Sequence, residues 1–167
     1  MGSSTRSFSE RVRRNHSVEH ATLHVVARDY PDLSLVGRSD WGGFTIYGPI
    51  DTEVLRQAAH EAYDRLRAGQ TDLAVHPNCG TNLAVTGLLV GAAVLVGLIG
   101  GRGNRWRRWP LTFASLVGAL TLAAPLGPAV QRHMTTNPDM EGVEIRNVTR
   151  VRGGRMPIHR VEIEHLI

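Results

Sequence analysis

Three short segments hold the residue types that do chemistry. The first is His16-Ser17-Val18-Glu19-His20, an H-x-x-E-H arrangement. On a helix His16 and His20 are i and i+4, so their imidazoles lie one turn apart on one face, a spacing that lets two nitrogens reach a single zinc ion. Glu19 sits beside His16 at i+3, where it can take a proton from a metal-bound water whose pKa the ion lowers towards about 7. The alternative is a polar helix face merely decorated with these groups, since five-residue patterns also arise by chance. His24 continues the series at i+8 from His16, about 12 Å further along a helix axis. A straight helix cannot bring all three imidazoles to one ion, so either His16 and His20 form the pair, or His20 and His24 do.

The second segment is His76-Pro77-Asn78-Cys79-Gly80-Thr81-Asn82. A thiolate is a good zinc ligand, His76 lies three residues upstream, and Pro77 and Gly80 suit an irregular turn that presents both side chains. Cys79 is the only cysteine, which excludes an intrachain disulfide and a CxxC zinc knuckle. The plainer alternative is a helix start capped by Asn78, Thr81 or Asn82, with Cys79 a small buried hydrophobe. The third segment, Thr135-Thr136-Asn137-Pro138-Asp139, reads first as a helix exit and turn.

These segments flank two runs without a charged residue, Leu83 to Gly100 and Leu111 to Val130. At 1.5 Å per residue each spans the roughly 30 Å hydrocarbon core of a bilayer, so two transmembrane helices are expected. The connection over residues 101–110 is GRGNRWRRWP. It is too short for a domain, and its arginines and tryptophans suit a headgroup interface. The helices should therefore form an antiparallel hairpin, which places HPNCGTN and TTNPD on the same membrane face. A plain soluble domain is excluded.

The 167 residues carry 19 Lys+Arg, all of them arginine, against 15 Asp+Glu, for a net charge of +4. Arginine clusters at Arg11, Arg13 and Arg14 and again between the apolar runs, a placement that suits lipid headgroups and gives no basic face for nucleic acid. No signal peptide is expected, because the first apolar run begins about eighty residues in. The arginine-rich loop alone would favour a cytoplasmic loop, but exporting the head without a signal is the greater obstacle. Both termini are expected in the cytoplasm.

Elements that could position the chemistry follow from periodicity. A helix is expected from about Phe8 to Arg28, opened by the capping-box spacing Ser7-x-x-Glu10. LSLVGR and GFTIYG alternate as strands, and a second helix runs from about Asp51 to Ala68 with Gly69 as its stop. DLAVH reads as a short strand. VEIRNVTRV and IHRVEIEHL read as a β-hairpin around RGGR. The expected fold is α+β: residues 1–82 give the αββα part of a small head, residues 83–130 the transmembrane hairpin, and residues 131–167 a β-hairpin that completes the head. Neither polar piece buries much core alone, so the two should share one sheet.

The blocks H-x-x-E-H, HP-x-CGT before an apolar helix, and TT-x-PD after the next one resemble the YqhQ-type family of bacterial membrane proteins of unknown function. The matching positions are His16, Glu19, His20, His76, Pro77, Cys79, Gly80 and Thr81, with Gln131, Thr135, Thr136, Pro138 and Asp139 a looser third block. The resemblance implies a metal-dependent membrane protein and supplies no reaction. The chain departs from it in having fewer membrane helices, no glycine-rich N-terminal block, and Ala21 where a basic residue commonly follows Glu-His.

Two functions are then in play. One is a zinc-dependent membrane-bound hydrolase, most simply a peptidase acting on a membrane-associated protein or peptide. It would have His16 and His20 on the metal, Cys79 or His76 completing the set, and Glu19 as base, the spacing that inverted zincins use. No distal glutamate ligand can be nominated from spacing, and a thiolate ligand makes the metal a weaker acid. The other is a non-catalytic integral membrane protein with a structural metal clamp, or a homo-oligomeric assembly subunit. For the latter, Gly87-x-x-x-Gly91 and the small residues Gly118, Ala119, Ala123 and Ala124 offer close helix contacts.

Overall fold

The computed structural model describes residues 7–99, 109–152 and 156–166. The chain divides into two compact units, one of Met1–His76 with Met134–Ile167 and one of Pro77–His133. The first is the α+β head and the second the apolar helical pair.

In the head, α1 (Phe8–Asp29) is followed by β1 (Val36–Asp40), β2 (Gly43–Tyr47) and α2 (Thr52–Arg67), and the chain returns as β3 (Val143–Arg152) and β4 (Ile158–His165). The sheet is antiparallel with order β1-β2-β4-β3. The C-terminal hairpin thus joins the N-terminal sheet through β2 and β4, as expected from two pieces each too small to bury a core alone. Burial alternates along β4: His159, Val161, Ile163 and His165 are buried, while Arg160, Glu162 and Glu164 lie on the other face. One face of the sheet is therefore covered and one is solvated, as is common for antiparallel sheets. Val18, Ala21, Val25 and Val26 of α1 meet Leu55, Ala58, Ala62 and Leu66 of α2 and the inward strand residues Phe44, Ile46, Val148 and Val161 in one core.

Local signals explain most boundaries. Asp51 caps α2 through its side chain, accepting from the backbone N–H of Glu53 at 2.7 Å and Val54 at 3.3 Å. Gly69 ends the same helix at φ 87°, a left-handed conformation that any side chain would strain. Two expectations are corrected. Ser7 precedes α1 but its hydroxyl meets Ser9 and caps no backbone N–H, and Glu10 pairs with Arg14 at 3.1 Å, so the capping box is not formed. The DLAVH segment is a 3-10 turn over Thr71–Ala74, not a strand. Its last carbonyls, on Ala74 and Val75, accept from side chains of α1 and join no sheet ladder.

In the second unit α3 (Gly80–Ile99) and α4 (Trp109–Val130) run antiparallel. Both have the length and apolar composition of membrane spans, and little of either is buried, which separates them from the core helices of a soluble domain. Leu88, Leu95, Leu120 and Leu122 are all exposed. A Cβ at Gly97 would overlap Thr112 and one at Gly127 would overlap Asn82, so these two glycines set the closest approach of the pair. Gly87, Gly91 and Gly118 face open space, so the GxxxG spacing does not serve this helix contact. Arg102, Arg105, Trp106, Arg107 and Arg108 of the connecting loop, and most of the RGGR turn, lie outside the described residues.

Candidate metal centre

The middle of α1 carries most of the buried polar groups of the head. Arg14, Asn15, Ser17, Glu19, His20 and Thr22 are all buried. Burying such groups costs free energy unless each finds a partner, and the partners come from distant segments. Asn15 donates to the Asp40 carbonyl at 2.8 Å and pairs through its own carbonyl with His165 Nε2 at 2.9 Å. Arg13 donates to the Thr136 carbonyl at 2.9 Å, Arg14 donates to the Glu141 carbonyl at 2.7 Å and pairs with Asp139, and the Asn137 N–H donates to the Ser17 hydroxyl at 2.9 Å. The TTNPD segment is thus strapped along α1, a positional role consistent with a helix exit and turn.

Backbone carbonyls fix the tautomer of two histidines of α1. His20 Nδ1 lies 2.7 Å from the Ala74 carbonyl, and His16 Nδ1 lies 3.0 Å from the Thr135 carbonyl. A carbonyl can only accept, so in each ring Nδ1 carries the proton and Nε2 is the basic nitrogen. Metal-binding histidines in proteins are oriented in this way, with the second ring nitrogen donating to a carbonyl or carboxylate. The two ring centres are 4.1 Å apart, as i and i+4 positions on a helix allow.

Cys79 is buried and sits at the N-cap of α3, with the Thr81 N–H 3.4 Å from its sulfur and the Asn82 N–H 3.0 Å from its carbonyl. The cap is therefore the cysteine, not one of its polar neighbours, and a helix start is a place that suits an anionic ligand. One ligand atom from each of His16, His20 and Cys79 lies within 4.8 Å of the other two. Donors on a filled tetrahedral zinc site are about 3.3 to 3.8 Å apart, from metal–nitrogen distances near 2.0 Å and a metal–sulfur distance near 2.3 Å.

The remaining expected site residues are placed differently. His76 is not in that group of three; its ring stands 5.7 Å from His20 and 4.8 Å from His24, centre to centre. Burial, with the neighbouring His24 and His20 imidazoles adding to it, pushes His76 down to about 4. Glu19 is buried and its carboxylate accepts from the Ser39 hydroxyl on β1. It also fills the space above Gly37, where a Cβ would overlap it. The cluster therefore lacks the H-x-x-E-H catalytic arrangement of zinc peptidases, in which the glutamate faces the metal-bound water. Ser39 and Gly37 were not foreseeable as partners: Gly-Arg-Ser in a strand carries no signal for a carboxylate from another element.

The chain thus combines an α+β head, interrupted by a pair of membrane-length apolar helices, with a candidate His/His/Cys metal group. Residues 11–148 match the family described as Domain of unknown function (DUF6391), and the chain belongs to that family. The YqhQ-type name suggested by the motif blocks is not the one matched. The chain is also similar to an uncharacterized protein of Picosynechococcus sp., 37% identical over 139 residues that make up 75% of this chain and 65% of that relative. It thus spans slightly under two thirds of the length of the curated relative it matches. No solved structure matches.

Proposed function

We propose that this is an integral membrane protein that holds one divalent transition metal ion through His16 and His20 Nε2 and the Cys79 thiolate, in a structural role. The observation that carries the reading is the pair of backbone carbonyls, on Ala74 and Thr135, that fix both imidazoles with Nε2 as the basic nitrogen. Two imidazoles and a thiolate are a donor set that zinc fits well, and oxygen-seeking ions such as magnesium fit poorly. The membrane placement is supported by the two apolar helices.

The hydrolase reading stays second. It needs Glu19 to deprotonate a bound water, and that carboxylate is engaged on β1 by Ser39. A homo-oligomeric assembly is supported only by the glycines of α3 that face open space.

The test is elemental analysis of the full chain purified anaerobically in detergent. One equivalent of metal is expected in the wild type, with His20→Ala and Cys79→Ser each losing most of it. Glu19→Gln should keep its metal and its thermal stability. A metal-free wild type, or metal content indifferent to both ligand substitutions, would overturn the proposal. Peptidase activity lost selectively in Glu19→Gln would restore the hydrolase.

A further inference from the structure

A second histidine pair lies beside the first, entirely within the head. His24, two turns along α1 from His16, points its Nε2 at the Val75 carbonyl, 2.8 Å away. That nitrogen must carry the proton, which leaves Nδ1 as the basic atom of the ring. His20 and His24 are thus oriented by consecutive carbonyls, Ala74 and Val75, and the next residue of that segment is His76. The His76 ring stands 4.8 Å from His24, nearly edge-on at 62°, and 5.7 Å from His20. Two imidazoles bound to one tetrahedral ion at metal–nitrogen distances of about 2.0 to 2.1 Å have ring centres about 5 Å apart. Exposure also differs along the row: His20 is 2% exposed, while His24 and His76 are only partly buried.

We infer that His24 and His76 form a second position for a divalent ion of the imidazole-preferring class, such as zinc, cobalt, nickel or copper, completed by water and open to solvent. The ion held there is bound by neutral nitrogens alone, so it is weaker than one held with the Cys79 thiolate. His20 lies between the two positions. Its single basic nitrogen can serve only one ion at a time. The inference goes beyond the structural-metal reading and rests on it only for the identity of the inner position.

Cobalt separates the two, because thiolate-bound Co2+ gives a near-ultraviolet sulfur-to-metal charge-transfer band and imidazole-bound Co2+ does not. Metal-stripped full chain in detergent is titrated with Co2+, reading both the absorption and the bound equivalents by equilibrium dialysis. Two equivalents are expected, the tighter one carrying the charge-transfer band. His24→Asn and His76→Gln should each weaken the second equivalent at least about tenfold and leave the first in place. Cys79→Ser should abolish the band and leave the second equivalent. His60→Ala, on the exposed side of α2, should change neither. Far-ultraviolet circular dichroism checks that each variant is folded, and two chemically different substitutions guard against a single misfolded one. The inference is overturned if the wild type takes up only one equivalent, or if the second survives both substitutions unchanged. It is equally overturned if either substitution removes both equivalents. Absence of the charge-transfer band with two equivalents still bound would defeat the inner thiolate site and leave the outer one standing.

Discussion

The two helices of the head cover the same sheet with opposite chemistry. α2 buries Leu55, Ala58, Ala59, Ala62 and Leu66 and nothing polar, whereas α1 buries six polar or charged residues among ten. Packing alone could have been achieved by a second helix of the α2 kind. A buried polar network stabilises only when every member is satisfied, and it costs more than an apolar core when one is not. The polar burial on α1, in which Arg14 Nε is left without a hydrogen-bond partner among the described residues, exceeds what packing needs, and His16, His20 and His24 lie within or beside that stretch. α2 contributes to stability; α1 contributes to stability and carries two histidines of the candidate metal group.

The largest test of that contrast is a cavity on the α2 side. Leu55 is fully buried, and Leu55→Ala should destabilise the head by about 2 to 5 kcal/mol through lost transfer energy and the void left behind. Thermal unfolding would show this as a drop in Tm of similar size with and without a chelator. If the drop doubled on chelation, the core around α2 and the metal group on α1 would be one cooperative feature and the division of labour would be wrong.

A smaller effect is expected from the polar side. Asn15 joins the β1 end, through the Asp40 carbonyl, to His165 at the end of β4. Asn15→Ala removes both bonds in a buried setting and should cost about 1 to 3 kcal/mol, because the groups it satisfied keep their desolvation cost. Asn15 belongs to the same helix turn as His16, so loss of cobalt affinity should accompany the loss of stability, unlike in Leu55→Ala. Equal metal affinity in both variants would show that the polar network serves folding only.

Periodicity makes both head helices, the apolar pair and the two β-hairpins legible in the amino-acid sequence, because each element announces itself within its own window of residues. The imidazole pair is legible for the same reason, since i and i+4 is a local relation. What fixes those imidazoles is not: Ala74 lies 54 residues from His20 and Thr135 lies 119 from His16, and a backbone carbonyl has no sequence signature. DLAVH misleads because its leucine and valine alternate like a strand, while its carbonyls are recruited by histidines of α1. Glu19 misleads in the opposite direction. Its spacing matches a catalytic base, but at i+3 it leans off the His16–His20 face towards β1, where a glycine at position 37 leaves room for it and Ser39 supplies a donor.

The smallest predicted effect uses a histidine remote from the metal group. His159 on β4 is buried with its Nε2 3.1 Å from the Thr52 hydroxyl at the start of α2. Burial lowers its pKa below the ordinary 6.5, the Arg150 charge lowers it further, and Asp51 opposes both. The sign follows from linkage. Below pH 6.5 the unfolded chain takes up a proton at this site that the folded head does not, so stability rises with pH across that window and is lost as pH falls through it. Replacing His159 by Gln keeps a donor for Thr52 and removes the titration. The slope of Tm between pH 7 and 5 should become shallower in His159→Gln, and the metal-stripped protein should show the same change. An unchanged slope would show that His159 does not set the acid sensitivity of the head.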